Sequence, residues 1–170
     1  SPLEIRFNST PTARDNQIDE LWKRSLDEVS IRFTVRKAKW PDLLKEAYAG
    51  KLQFWQLGGS ASQPEADTWL TSLYGPNSGL KGNFARFRLP AYDRLYEKAR
   101  VTSDPVERSR LNREMARLVA AYAPWKVNTH RILTDLWYPW VLGYRRPQIQ
   151  SQNFWRFIDI DADASPATPR

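Results

Sequence analysis

From Leu52 to Tyr74 the chain runs LQFWQLGGSASQPEADTWLTSLY, and how this segment folds settles the arrangement of the rest. It opens on a short apolar run, Leu52, Phe54, Trp55 and Leu57, with Gly50 behind and Gly58–Gly59 ahead. A run this short between glycines predicts a buried strand rather than a helix. The paired glycines let the backbone turn sharply and put no side chain in the way of a ligand. Ser60, Ser62 and Gln63 follow, then Asp67 as the cap of a helix carrying Trp69, Leu70 and Leu73. Strand, open turn and helix is how open α/β sheets present ligands, at the carboxyl ends of their strands. An ordinary loop that uses glycine only to reverse direction would read the same way.

Upstream, Leu3, Ile5 and Phe7 alternate with Glu4 and Arg6, a strand pattern. Thr12 with Asp15 resembles a helix-capping pair, and Ile18, Leu21, Trp22, Leu26 and Val29 then form one apolar stripe. Ile31, Phe33 and Val35 alternate again. Pro41 opens the next helix, which packs Leu43, Leu44, Ala47 and Tyr48 and stops at Gly50. The order β-α-β-α-β predicts a mixed α/β fold with a parallel sheet, its strands near 3–8, 31–37 and 52–57. Asn8 to Thr10, Arg36 to Trp40 and Gly58 to Ser62 should then share one rim.

Downstream, a loop from Gly75 to Leu89 holds Phe84 and Phe87, and Pro90 enters a short helix with Tyr92, Leu95, Tyr96 and Ala99 inward. Asp104, Pro105 and Glu107 supply a cap, a first-position proline and an answering acid for a helix reaching about Tyr122, with Leu111, Met115, Leu118, Val119 and Tyr122 inward. Trp125 to Trp140 reads as an extended segment, Phe154, Phe157 and Ile158 as a last short strand, and ASPATPR as a frayed tail.

At 170 residues and 41% hydrophobic, the chain can bury a domain core and is not a disordered tail. Eight tryptophans, seven tyrosines and seven phenylalanines suit a deep core or a surface that grips ligands through flat apolar faces. There is no cysteine, hence no disulfide framework or thiol nucleophile. No stretch approaches the roughly 18 apolar residues of a membrane span. The start, SPLEIRF, enters a strand pattern at once with no signal peptide, so the chain is expected to be part of something longer.

Enzyme chemistry finds no support. The lone His130 lacks further metal ligands and reads as structural, and Gly58-Gly59-Ser60-Ala61-Ser62 lacks the second glycine of a nucleophile elbow. No phosphate-binding glycine pattern is present. No catalytic residue, metal site or cofactor is expected. A formal charge of +7 raises nucleic acid as a partner, but the basic residues alternate with acids along helices, and neither Lys81, Arg86 and Arg88 nor Arg145 and Arg146 matches a reading motif.

Several segments in order resemble the C-terminal lobe of family 5 extracellular solute-binding proteins, the periplasmic peptide-binding components of ABC importers. They are DELWKRSLDEVSIRFTV, WPDLLKEAYAGKLQFWQLGG, LYGPNSG, GNFARFRLPAYDRLYEKAR, DPVERSRLNREMARLVAAYAPW and HRILTDLWYPWVLGYRR. The resemblance implies a non-enzymatic, periplasmic or extracytoplasmic receptor that closes two lobes over a peptide-like or other small solute. It would deliver that solute to a permease at the inner membrane and act as a monomer in full-length form, without nucleic acid. Residues 1–150 would be the ligand-binding lobe, and 151–170 a terminal strand crossing towards the other lobe plus the tail. Gly58, Gly59, Ser60, Ala61 and Ser62 would line the cleft, with Trp40, Trp55 and Gln63 as further candidates. Peptide-binding members resemble GW-S/T-A-D at this strand end, where the aspartate receives a peptide's amino end. Here Gly59 stands for the tryptophan and Ser62 for the aspartate, and a serine cannot make that charge-assisted contact. Asp67 matches the family's helix-capping acid, and Trp69 is expected in the core. The alternatives are a sensor or chaperone of the same fold and, more distantly, a nucleic-acid-binding domain.

Overall fold

Alternating apolar residues form a sheet here because each run puts its large side chains on one side of the pleat. In the computed structural model, which describes residues 3–61, 65–79, 81–129, 132–146 and 154–164, β1 (Glu4–Ser9) lies between β2 (Arg32–Lys37) and β3 (Phe54–Trp55), all parallel. Ser9 stands opposite Lys37 and Asn8 opposite Trp55, so the three carboxyl ends share one edge. β3 has only two residues where the sequence suggested 52–57. Part of the reason is Gln53: its side-chain Oε1 accepts the Arg6 N–H at 2.8 Å.

α1 (Ala13–Asp27) links β1 to β2 and opens with the Thr12 hydroxyl accepting the Asp15 N–H at 3.1 Å. Its buried face departs from simple apolar periodicity. Leu21 and Val29 are exposed, while Asp19 is buried. Asp19 can go inside because the Ser9 hydroxyl donates to it at 2.7 Å and Lys37 pairs with it. Phe7, 2% exposed, lies between Phe33 and Phe54, and Trp22 of α1 meets Phe54 edge-on at 5.9 Å. α2 (Trp40–Tyr48) buries Leu43 and Ala47 and gives way to Gly50 at φ +69°, a left-handed conformation that favours glycine.

A second core lies between α4 (Pro90–Val101) and α5 (Pro105–Tyr122), built from Leu73, Tyr92, Tyr96, Ala99, Leu111 and Met115. Burying an aliphatic side chain such as Leu111 or Met115 contributes on the order of 1.5–3 kcal/mol. Asp104 caps α5 by accepting the Val106 N–H at 3.0 Å, and left-handed Ala123 ends it before Pro124. Glu107 does not answer the cap; it pairs with Arg110 and Lys98. Tyr122, expected inward, is exposed.

The loop between these cores is pinned by Asn83, which is fully buried. Its Nδ2 donates to the carbonyls of Tyr74 (3.1 Å) and Phe87 (2.9 Å), and its Oδ1 accepts the Phe87 N–H (3.1 Å). Beyond α5 the described chain from 125 to 140 is irregular and makes no ladder, leaving Ile132 and Leu136 almost wholly exposed. The expected strand at Phe154–Ile158 is instead a 3-10 turn over Phe154–Phe157. The strand that follows, β5 (Asp159–Ile160), pairs antiparallel with β4 (Val141–Leu142). The local bond from the Ile158 N–H to the Trp155 carbonyl, 3.3 Å, favours the turn.

Candidate ligand-binding rim

The carboxyl ends of the parallel strands are fastened by two side-chain relays. Asn8, 7% exposed, donates to the Phe54 carbonyl at 3.1 Å and accepts from Arg36 Nε at 2.8 Å, and Arg36 pairs in turn with Glu46 of α2. One residue further along, Lys37 Nζ donates to the Thr10 carbonyl at 3.2 Å while pairing with Asp19. Together the relays join all three strands, α1 and α2, and fix the places from which the rim loops leave. These contacts put Asn8 to Thr10 and Arg36 to Lys37 on the expected edge.

Gly58, Gly59 and Ser60 leave β3 as exposed irregular chain, and Ala61 is half-buried. Ser62 and Gln63 lie outside the described residues, as does His130. Trp40 opens α2, is 42% exposed, and has its ring 6.0 Å from that of Trp55. Phe84 meets Trp55 edge-on at 5.5 Å and Tyr48 at 5.0 Å. Trp40 and Trp55, each a separate candidate, are therefore brought together and extended by two rings that sequence reasoning had not assigned to the site. A phenylalanine in a Gly/Asn loop was the available signal, since such a ring must find apolar cover. Arg86 holds the loop there by donating from a guanidinium nitrogen to the Tyr48 carbonyl at 3.0 Å.

Two expectations about the following helix, α3 (Asp67–Leu70), need correction. Asp67 is not its cap. Ala66 precedes the helix in helical conformation, no side chain caps it, and Asp67 sits in the first turn, where the helix dipole favours an acid. Nor is Trp69 a core residue. It is 43% exposed, and a Cβ on Gly59 would lie 3.4 Å from its Cη2 and 3.5 Å from its Cζ3. A methyl group at position 59 would therefore just touch the outer edge of the indole.

The perturbed groups belong to packing. Burial raises the pKa of Tyr92, whose hydroxyl donates to the Leu70 carbonyl at 2.8 Å, and burial also raises that of Tyr96. Hydrogen bonds from Arg110 and then Lys98 lower Glu107 to about 2. Among the described residues no group of three His, Cys, Asp or Glu side chains could hold a metal ion. Two surface depressions, of about 270 and 400 Å³, are lined by residues 27–32 and 36–51; neither includes Gly58–Ala61. The rim thus offers flat apolar faces beside unobstructed backbone, open to solvent. That suits a ligand with peptide groups and rings, bound against a second surface.

Parallel strands with their carboxyl ends on one rim, flanked by helices, are shared by many open α/β folds, and superposition gives this one as the periplasmic-binding-protein fold. The chain superimposes on the ABC transporter-associated periplasmic binding protein DppA from Helicobacter pylori, solved with the peptide STSA. The TM-score is 0.66 at 21% identity, over 72% of this chain and 24% of that one. In sequence it is similar to Di/tripeptide-binding protein 2 of Pseudomonas aeruginosa, 26% identical over 155 residues, which is 91% of this chain and 29% of the relative. It is also similar to Heme-binding protein A of Haemophilus influenzae, 29% identical over 106 residues, 62% of this chain and 19% of the relative. The chain spans less than a third of the length of these relatives. No family model matches the sequence. The resemblance to solute-binding proteins read from the motifs holds, and the matched proteins are binding proteins rather than enzymes.

Proposed function

We propose that this chain is the C-terminal lobe of a two-lobed receptor that captures a peptide-like or other small solute for an ABC importer. Residues 1–150 form the lobe, and 151–170 lead towards its partner lobe. The observation that carries this reading is the rim. Exposed Gly58–Gly59 chain and Trp40, its ring near that of the half-buried Trp55, lie beside the three parallel strand ends, half of what encloses a ligand. Gly58 to Ser62 contact the solute mainly through backbone, Trp40 and Trp55 offer ring faces, and Gln63 adds an amide. The exposed strip around Ile132 and Leu136, 97% and 93% accessible, supports a second covering body, since apolar side chains so fully exposed favour burial.

Di- and tripeptides are the first solute class, by similarity to the peptide-binding relative; heme is the second, by the other relative. With Ser62 in place of an aspartate, the receptor favours solutes lacking a free α-amine. It works outside the cytoplasmic membrane as a monomer, facing a permease. Among the described residues no helix is long and apolar enough to cross a membrane. Nucleic acid is not a partner in this reading, since Arg86 and Arg146, one from each basic cluster, are bonded to Tyr48 and Asp135.

Calorimetry on the two-lobed receptor and on the 170-residue chain alone tests the proposal. The receptor should bind N-acetylated tripeptides, and the lone lobe about a hundredfold or more weaker, because half a cleft buries about half the ligand. Equal affinities, or a receptor that binds no peptide-like solute, would overturn it.

A further inference from the structure

Trp69 sits where a core residue was expected, yet its indole is turned outward. Its neighbours Leu70 and Leu73 pack into the cluster between α4 and α5, and the Tyr92 hydroxyl fastens the Leu70 carbonyl from that side. Trp69 is left out of the cluster, 43% exposed, with its outer ring edge where a methyl group on Gly59 would just reach it. The backbone beneath the ring is therefore anchored on the core side, and the ring edge lies a methyl group's width from Gly59. A ring already ordered in this way loses little freedom when a ligand docks on it. Of its acidic neighbours, Glu65 lies 3.7 Å from Arg108.

We propose that Trp69 is a specificity-determining residue of the rim, its open face taking an apolar or aromatic side chain of the bound solute. Gly59 is the positioning residue that lets the ring lie there. The inference rests on the solute-receptor reading above and deepens it. Any side chain longer than a methyl group at position 59 meets the ring and displaces it, because the Cβ alone already reaches van der Waals contact.

The test is calorimetry on the two-lobed receptor with N-acetylated tripeptides that differ at one side chain, Ala, Leu or Phe. Trp69→Ala should weaken the Phe peptide by about tenfold and the Ala peptide by less than about twofold. Trp69→Phe, which keeps a ring, should restore most of the difference. Gly59→Leu should reproduce the Trp69→Ala pattern with the tryptophan still present. Thermal melts of each variant separate binding from folding; a Trp69 outside the core cluster should leave the melting temperature nearly unchanged. Equal losses across the three peptides, or none, would overturn the assignment. A receptor that binds none of them even unmutated would overturn the functional reading first, and this inference with it.

Discussion

Replacing Asn83 tests how the rim is held from behind. The side chain is fully buried, and three hydrogen bonds leave it: two from Nδ2 to the Tyr74 and Phe87 carbonyls and one into Oδ1 from the Phe87 N–H. Asn83→Ala deletes all three and strips their partners of those bonds. At about 1 kcal/mol for each bond the loss is roughly 3 kcal/mol, more if the carbonyls are left dry. In a domain of this size about 1 kcal/mol moves the melting temperature by ~2–4 °C, so a drop of ~6–12 °C is expected. Asn83→Asp keeps the shape but turns both donors into an acceptor facing two carbonyls, and should cost at least as much at neutral pH. Urea unfolding followed by tryptophan fluorescence gives the free energy, with an unchanged slope showing that only stability moved. The loop also carries Phe84, so release should be visible as altered Trp55 fluorescence before global unfolding. A loss below about 1 kcal/mol in both variants would refute the view that Asn83 holds the loop.

Glu107 gives a pH test. Arg110 and Lys98 lower its pKa from 4.5 to about 2, so its contribution is complete above 4.5 and fades as the pH falls towards 2. Melting curves of Glu107→Gln and the parent should differ most above pH 4.5 and converge near 2; a gap that stays constant with pH contradicts the pairing. Gly50→Ala combines a φ of +69° with a Cβ driven into the Arg86 guanidinium. It should cost about 1–2 kcal/mol from the left-handed backbone, plus the Arg86 bond to Tyr48, and an unchanged melting temperature would contradict the contact. Ser62→Asp in the receptor should improve binding of free-amine peptides over N-acetylated ones by roughly ten- to hundredfold, the worth of a charge-assisted contact of about 1.5–3 kcal/mol. A parent receptor that already prefers the free amine would end that idea.

The β-α-β-α-β order was legible because period-two runs at Leu3–Phe7 and Ile31–Val35 flank a capped helical stretch, and local pattern is what sets strands and helices. The caps at Thr12 and Asp104 and the break at Gly50 follow from single-residue chemistry and were equally readable. What the pattern missed is polar and long-range. Asp19 takes a place on the buried face of α1 while Leu21 is exposed, because Ser9 and Lys37, distant in sequence, both bind its Oδ2. Its Oδ1 is left without a partner among the described residues. Gln53 shortens β3 through a side-chain bond that periodicity cannot show. At the rim, Trp40 and Trp55 were each legible as candidates though not as a pair, and Gly58 and Gly59 are exposed irregular chain without the positive φ of a sharp glycine turn. The Phe84 and Tyr48 rings and the outward Trp69 were not foreseen, since each depends on which loop packs against which corner. The C-terminal apolar run read as an extended segment, whereas its described residues are irregular chain ending in a turn. Its exposure reflects a lack of packing partners among the described residues, which composition does not encode.

The most direct measurement is a structure of the two-lobed receptor with its solute bound. The expected result is a solute lying across the carboxyl ends of β1, β2 and β3, with the Gly58–Ser62 backbone within hydrogen-bond reach and the Trp40 and Trp55 rings against it. A solute held elsewhere on the lobe, for instance on α5 or on the Ile132–Leu136 strip, with Gly58–Ser62 left bare, would contradict the assignment of the rim.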